Sequence, residues 1–286
     1  MIYQALNEED VLSPLSELVL LIIFFSSMAA VVLSKSFIFI EQRYALYYGK
    51  PFFINVIVFK KDLTKQQLRI LENNFVFYNS LSEKQQTIFR HRTARFINDK
   101  VFLGRKGLEV SDEMKVLISA TAVMLTLGFR KYHLDIIEKI IIYPKAYLSK
   151  INAVYHKGEV NPQLKTIVLS WEDFKKGYKI GDDNLNLGIH EFGHAIHLGA
   201  FSSGDISSVI FNQGFQDLTN YLREHQTVRE RLIASKYFRA YAYTNHYEFF
   251  AVLLENFIEN PKEFKYHFPN LYGYMKQMLN FNFTGY

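Results

Sequence analysis

Residues 186–197 have the sequence NLGIHEFGHAIH, in which His190, Glu191 and His194 form the pattern H-E-x-x-H. On a helix, residues four apart lie one above the other, so the two histidines can direct their imidazole nitrogens at one point. They would supply two of the three protein ligands of a catalytic zinc ion, whose fourth position is left for water. Glu191 lies about 100° around the helix. From there it can reach that water and accept its proton.

Apolar residues surround this motif, as expected for a helix that is buried beside a site. They include Leu187, Ile189, Phe192 and Ile196. Gly193 lies inside the helix, where glycine costs about 1 kcal/mol relative to alanine, and this favours a close approach by another element. The alternative is a surface helix with two solvated histidines. The apolar flanks favour the metal site.

The composition limits the chemistry further. The 286 residues include no cysteine, which excludes disulfides, iron–sulfur clusters and cysteine-ligated zinc. Histidine, glutamate and aspartate remain as the candidate metal ligands. The net charge of +5 is modest, and its lysines form no block typical of a nucleic-acid surface. We therefore expect no nucleic-acid partner.

The N-terminal region contains a long apolar stretch. Residues 18–34 carry no charge, and the extension to residue 40 adds only Lys35. This length can span a bilayer. Acidic residues precede the stretch and basic residues follow it, which is atypical of a cleaved signal and predicts that the C-terminal part stays cytoplasmic. We expect a tail and single transmembrane helix in 1–43 and a domain that carries the motif in 44–286; the alternatives are a buried core helix and a cytoplasmic protein.

The rest of the chain predicts helices, then a small sheet, then more helices. Two capping boxes, at 64–67 and 82–85, open helices over about 65–79 and 83–99. A third helix over about 112–128 is apolar enough to be central. Strands are predicted at 137–143 and 166–171. A polar turn at 179–184 precedes the motif helix, and we expect the sheet to lie beside the cleft.

Arginines at positions 90, 92 and 95 give the second of these helices a basic face. We expect Arg90, Arg92 and Arg95 to form a solvated surface.

The third ligand has to come from elsewhere in the chain. One branch of H-E-x-x-H enzymes extends the motif with a glycine and a third histidine, but His197 and Ala200 occupy those positions. The other branch supplies a glutamate from a downstream helix. Thr244 can cap such a helix, which would end before Pro261 and would carry Glu248 in its first turn.

Further residues of this region have open roles. Glu248 among apolar neighbours is explained by a metal or by a contact with the helix dipole. Glu255 is either a carboxylate that orients a ligand histidine or a surface acid. His197 is an alternative ligand, or lines the cleft or hydrogen-bonds a ligand. Tyr241, seven residues before Glu248, can donate its hydroxyl to an oxyanion, although position alone is weak support in a chain of 19 tyrosines.

Several stretches resemble the Mlc titration factor family of zinc peptidases, which are structurally similar to the catalytic domain of anthrax lethal factor. The matching stretches, in the family's order, are GLEVSDEMKVLISATAV (107–123), IIIYPKAY (140–147), VLSWEDFKKG (168–177), NLGIHEFGHAIH (186–197), YAYTNHYEFFAVLLENF (241–257) and FPNLYGYM (268–275). The resemblance implies an α+β, zincin-like metallopeptidase domain with a helical N-terminal lobe and a small sheet beside the motif helix.

The resemblance also implies a site. His190, His194 and Glu248 match the family's zinc ligands, Glu191 its catalytic glutamate and Tyr241 its tyrosine. The implied activity is zinc-dependent peptide hydrolysis, of aminopeptidase type in a well-studied soluble member that also binds a transcriptional repressor of sugar uptake.

Two departures qualify this resemblance. The family usually has aspartate where this chain has His197, which leaves the role of that aspartate open here. The well-studied member is soluble, whereas we expect this chain to be anchored in a membrane. We further expect the strand at 166–171 to pair with an extended peptide by edge addition.

The alternative functions are a regulatory protein that sequesters a partner and a metal-free scaffold at the membrane surface.

Overall fold

The computed structural model of the chain describes residues 13–55, 57, 59–148, 155–179 and 185–282. Its helices are α1 (Pro14–Tyr48), α2 (Lys65–Asn74), α3 (Val76–Asn79), α4 (Glu83–Asp99), α5 (Asp112–Leu125), α6 (Trp171–Lys179), α7 (Leu187–Ser202), α8 (Ile206–Glu224), α9 (Gln226–Ala234), α10 (His246–Glu259), α11 (Pro261–His267) and α12 (Pro269–Met278). Its strands are β1 (Val101–Gly104), β2 (Lys139–Tyr143), β3 (Tyr147–Leu148), β4 (Tyr155–His156), β5 (Gly158–Asn161) and β6 (Thr166–Ser170). A 3₁₀ helix covers Ala240–Tyr243. The predicted α+β order of helices, small sheet and helices is confirmed, whereas most of the predicted turn at 179–184 lies outside the described residues.

The main sheet has the strand order β1-β2-β6-β5. The first three strands are parallel, and β5 runs antiparallel to β6. The predicted strands at 137–143 and 166–171 are therefore present with shorter ends. However, β6 lies between β2 and β5, and both its backbone edges are already hydrogen-bonded. The expectation that this strand offers an open edge to a peptide is wrong, because the edge beside it belongs to β5.

Helix α5 is the central helix of the core. From Val116 to Leu125 every residue is buried, and Ser111 caps the first turn by accepting a hydrogen bond from the backbone N–H of Met114. Helices α2, α4 and α7 pack around it. Since α7 carries the H-E-x-x-H motif, the site helix rests directly on the most buried element of the domain.

The predicted helix at 65–79 is interrupted at Phe75, which is buried and has φ −115° and ψ 87°. The side-chain amide of Asn74 bonds the carbonyl of Ile70. Such local hydrogen bonds compete with the helical ladder, which accounts for the break. The helix predicted at 83–99 is present over Glu83–Asp99 with its capping box.

The expectation of a solvated basic face on α4 is wrong for Arg92. Its side chain is buried and donates hydrogen bonds to the carbonyls of Thr126, Leu127 and Phe129, at and beyond the end of α5. A guanidinium has five donors, and here it satisfies the carbonyls that a helix end leaves unpaired. Burial lowers its pKa to about 10. Arg92 is thus a structural link between α4 and α5.

Helix α1 extends away from the core. It is long and apolar enough to cross a membrane, and its most apolar window has no buried residue. The alternative of a buried core helix is therefore excluded. Its last turns dock on α8, where Ala45 contacts the buried Ile206 and Ile210. The expected division between residues 43 and 44 falls inside this helix.

Candidate metal centre

Three side chains converge at the centre of the cleft. The Nε2 atoms of His190 and His194 lie 3.1 Å apart, and Glu248 places one oxygen 3.1 Å from His190 Nε2 and the other 3.5 Å from His194 Nε2. These three residues form a group whose ligand atoms lie within 4.8 Å of one another. Tetrahedral ligands at 2.0–2.1 Å from zinc are about 3.3 Å apart. The separations therefore match those of three ligands around one ion.

Two packed helices bring these ligands together. Helix α7 carries both histidines, and α10 carries Glu248. The helices approach closely at Gly193, where an added Cβ would lie 3.1 Å from Leu254 and 3.5 Å from the Cα of Ala251. This agrees with the close approach expected at that glycine. A larger side chain there would separate the histidines from the glutamate.

The start of α10 differs in detail from the prediction. Asn245, not Thr244, caps the helix, because its side-chain oxygen accepts hydrogen bonds from the backbone N–H groups of Tyr247 and Glu248. The hydroxyl of Thr244 bonds the carbonyl of Tyr241 instead. The cap fixes the backbone of Glu248 in the first turn, and the helix ends before Pro261 as expected.

The electrostatics of Glu248 suit a cation. Its burial raises the pKa, but hydrogen bonds from His190 and His194 outweigh burial and hold the pKa well below its usual value. The carboxylate is therefore charged. Its Oε2 atom is buried and faces Nε2 of His190, while its Oε1 atom faces Nε2 of His194. A charged carboxylate whose two oxygens each face an imidazole fits a metal ion, since a buried charge is costly to leave unpaired.

Glu255 contacts His190 on the side of the ring opposite the ligand group. It is fully buried, and its Oε1 atom lies 2.7 Å from Nδ1 of His190. Arg239 forms an ion pair with the same oxygen, and the backbone N–H of Asn186 donates to the other. Burial lowers the pKa of His190, but the bonds to Glu248 and Glu255 outweigh it and raise the pKa to about 9. The surface-acid alternative for Glu255 is excluded, and the histidine-orienting role fits this geometry.

Glu191 faces the cleft from the neighbouring position on α7. Its residue is only 5% exposed, and burial raises the pKa of its carboxyl to about 8, although His190 lowers it in part. Its Oε2 atom has no hydrogen-bond partner among the described residues. A raised pKa is what a group needs to accept and release a proton near neutral pH.

Gly158, the first residue of β5, lies against Glu191. A Cβ at this position would be 2.5 Å from Glu191 Oε1 and 2.6 Å from its Cδ and Cγ. The glycine thus leaves the space that the carboxylate occupies. The sequence analysis missed this residue, although a glycine at a strand signals a close approach by other atoms.

Tyr241 lies at the rim of the site. Its ring centroid is 6.3 Å from that of His190, and the residue is 52% exposed. Burial of the hydroxyl, with Glu248 nearby, raises its pKa to about 12, so the phenol keeps its proton and can donate a hydrogen bond. Arg239, two residues earlier, was not predicted, because no local pattern links it to the site.

His197 lies apart from these groups. It is fully buried among aromatic rings, with centroids 4.4 Å from Phe215, 4.7 Å from Tyr247 and 5.2 Å from Phe250. Burial lowers its pKa to about 3. In the described part of the chain neither of its nitrogens has a hydrogen-bond partner. His197 is outside both the metal-ligand group and the cleft lining, so it is a core residue here.

The cleft beside the ligand group has a volume of about 410 Å³. It runs between β5 and the start of α7, and its lining includes Tyr155, Gly158, Lys176, Arg239 and Tyr241. Glu191 and His190 open into it. The cleft therefore gives a substrate access to both the acid–base group and the ligand group.

Comparison with known proteins places this site in a family. The profile described as glucose-regulated metallo-peptidase M90 matches residues 54–280. The uncharacterized protein slr2042 of Synechocystis sp. is 23% identical over 234 residues, covering 77% of this chain and 85% of its own length. Mlc titration factor A of Cronobacter sakazakii is 24% identical over 210 residues, covering 67% and 77%. The protein of that name from Escherichia fergusonii is 24% identical over 212 residues, covering 68% and 78%. The predicted resemblance is confirmed, and the chain belongs to the family of glucose-regulated metallo-peptidases M90.

Proposed function

We propose that the protein is a zinc-dependent peptidase that hydrolyses peptide bonds, with His190, His194 and Glu248 as ligands. The observation that carries the proposal is the convergence of three ligand atoms at tetrahedral spacing, beside a buried carboxylate that faces the same cleft. Bound zinc would polarise the peptide carbonyl and lower the pKa of the attacking water. The zincin-like character of the domain and aminopeptidase-type activity are part of the same proposal.

The chain's own residues then have defined tasks. Glu191 accepts the proton of the attacking water and passes it to the leaving amine. Tyr241 donates its hydroxyl to the oxyanion. Glu255 holds the ring of His190 in the tautomer that leaves Nε2 free as a ligand atom. The outer edge of β5, which pairs only with β6 among the described strands, takes the peptide-pairing role first expected of 166–171.

Two variants test the proposal against metal content and activity together. Glu191→Gln should keep stoichiometric zinc and lose hydrolysis, whereas Glu248→Ala should lose zinc. Glu263→Ala, which removes an exposed acid on α11, is the matched control and should change neither. Zinc retained in full by Glu248→Ala, or peptide cleavage at the wild-type rate by Glu191→Gln, would refute the proposed site.

Two relatives are called Mlc titration factor A, and this name supports a second candidate function, sequestration of a regulatory protein. A binder does not need Glu191 to carry a proton. If Glu191→Gln abolishes peptide cleavage but the variant still captures a partner and still restores the phenotype of cells that lack the protein, the function is sequestration. If the variant loses both cleavage and the ability to restore that phenotype, the function is catalysis.

The location is also proposed. We assign residues 1–43 to a tail and single-pass anchor and residues 44–286 to a catalytic domain on the cytoplasmic side of the membrane. The support is the apolar, unburied α1 and the basic residues that follow it.

A further inference from the structure

The chain reverses direction directly after α1. Gly49 ends the helix in the left-handed region, at φ 65°. The next residues, 50–53, then run back along the helix and are called the hook below. Phe52 of the hook packs against Tyr44 and Phe37, with ring centroids 4.5 and 5.9 Å apart. Because Phe37 belongs to the apolar part of α1, the hook places an aromatic ring beside the end of that part.

An ion pair between the buried Glu41 and the half-buried Arg130 holds the hook in place. Glu41 is 4% exposed, and both of its oxygens accept hydrogen bonds from Arg130. The backbone N–H of Phe52 donates to Glu41 at 3.3 Å. Arg130 also donates to the carbonyl of Phe53 and lies 3.8 Å above its ring. The hook is thus a fixed part of the fold, and its surface has a defined orientation relative to α1.

The rings of the hook nevertheless remain open to solvent. Phe52 is 43% exposed and Phe53 is 39% exposed. A helix rises 1.5 Å per residue, so Phe37 lies about 4.5 Å inside Ile40, the end of the apolar stretch, and Tyr44 lies about 6 Å beyond it. Phe52 contacts both and therefore straddles that end. Aromatic side chains are enriched at this depth, where hydrocarbon meets headgroups.

The surrounding charge is positive. Residues 35–61 contain five basic residues and one acid, Glu41, which Arg130 neutralises. Lys50 belongs to the hook, and Arg43 lies on the last turns of α1 beside it, whereas Lys60 pairs with Asp62 at 2.9 Å. Juxtamembrane lysines and arginines are attracted to anionic lipid surfaces.

We propose that the hook is a second membrane contact, in which Phe52 and Phe53 enter the interfacial layer and Lys50 and Arg43 bind anionic phospholipid headgroups. The proposal rests on the proposed anchoring by α1. It goes further because it adds a lipid contact beside α1 and assigns the face of the peptidase domain that meets the lipid surface.

Tryptophan quenching in the full chain tests the hook. Trp171, which is buried, is the only tryptophan, so Trp171→Phe removes the intrinsic tryptophan fluorescence of the chain. Phe52→Trp then places an aromatic probe in the hook, and Tyr266→Trp places one at an 83% exposed site on α11. Both are reconstituted in phosphatidylcholine–phosphatidylglycerol vesicles with brominated acyl chains. We expect severalfold stronger quenching for Phe52→Trp than for Tyr266→Trp, with unchanged unfolding temperatures.

Two further measurements, the dependence on lipid charge and the resistance to extraction, distinguish a failure of the hook proposal from a failure of the anchoring proposal. Lys50→Gln, added to the probe variant, should lower the ratio of docked to free domain about fivefold on anionic vesicles and leave it unchanged on phosphatidylcholine alone. Alkaline carbonate extraction reports on α1 independently. Protein that resists extraction but shows equal quenching at both probe positions overturns the hook alone. Protein that extraction removes overturns the anchoring and the hook with it.

Discussion

Gly158→Ala is the substitution that most directly tests the arrangement of the cleft. The added Cβ would lie 2.5–2.6 Å from three atoms of Glu191, whereas ordinary contacts begin at about 3.4 Å. The strand and the carboxylate therefore have to separate by roughly 0.8–0.9 Å. Helix α7 has little room to retreat, because it packs closely on α10: even a Cβ added at Gly193 would lie 3.1 Å from Leu254. Either β5 moves outward or Glu191 leaves its position.

In the proposed mechanism, both responses lower the rate of hydrolysis without removing a proposed metal ligand. A misplacement of about 1 Å lowers the rate about 100-fold, which corresponds to roughly 2.7 kcal/mol of transition-state stabilisation. Overpacking lowers the free energy of unfolding by about 1–3 kcal/mol as well. We expect kcat to fall about 100-fold while zinc stays stoichiometric. Initial-rate peptide hydrolysis, metal analysis and thermal unfolding measure the three quantities.

Gly273→Ala is the matched control. Gly273 lies inside α12, and no atom would come within 4 Å of its new Cβ. Alanine in a helix interior is more favourable than glycine by about 1 kcal/mol, so this variant should be as stable as the wild type or more so, with unchanged kcat. Wild-type kcat in a folded, zinc-loaded Gly158→Ala protein would refute the argument that the glycine makes room for Glu191.

Three other substitutions have expected outcomes of different kinds. Glu255→Gln should weaken zinc binding about 10–100-fold in chelator competition, because the buried carboxylate orients His190. Tyr241→Phe should lower kcat about 100–1,000-fold and leave KM and zinc content unchanged, because only the oxyanion uses the phenol. His197→Phe should make the free energy of unfolding depend less on pH below pH 6.5. The folded-state pKa of about 3 lies below the ordinary 6.5, so the unfolded chain binds more protons, and wild-type stability falls as pH drops from 6.5 towards 3. Between pH 6.5 and about pH 5 this loss is about 2 kcal/mol.

Each of these has a clear contrary result. Undiminished zinc affinity in Glu255→Gln would mean that Arg239 and Asn186 hold the site without the charge. A rise in KM at constant kcat in Tyr241→Phe would assign the tyrosine to substrate binding. The free energy of unfolding is measured in urea at several pH values. If it falls between pH 6.5 and pH 5 as steeply in His197→Phe as in the wild type, a group other than His197 binds the proton.

Local patterns account for the parts of this protein that the sequence predicted. The i, i+4 spacing of His190 and His194 depends only on helix geometry, and the capping boxes of α2 and α4 depend only on neighbouring residues. Glu248 lies 54 residues beyond His194, so helix geometry could suggest it but only the family resemblance could select it. The cap of α10 was predicted at Thr244, but the same rule fits the adjacent Asn245, which caps the helix in the structure.

Three other misses, namely the burial of Arg92, the covered edge of β6 and the role of Gly158, involve contacts between distant segments. Arg92 is buried because the end of α5 presents unpaired carbonyls to it, and no pattern in α4 contains that information. The strand order could not be predicted for the same reason. A period-two pattern identifies β6 as a strand, but it cannot show that β5 pairs with the edge of β6. Gly158 acquires its role from Glu191, 33 positions later, once β5 crosses α7.

One continuous set of contacts joins the proposed anchor to the site. Arg130 binds Glu41 of α1, and its backbone N–H donates to the hydroxyl of Ser207 at the start of α8. Helix α8 follows the C-terminal end of α7, whose histidines lie two to three turns earlier. Because His194 is eight residues before Ser202, it lies about 12 Å along α7 from that end. An anchor that moved relative to α8 would have to break the Arg130–Glu41 ion pair, whose carboxylate is buried. These contacts tie α1 to α8 and, through α8, to the helix that carries the two histidines, so the proposed anchor and the ligand group belong to one packed unit.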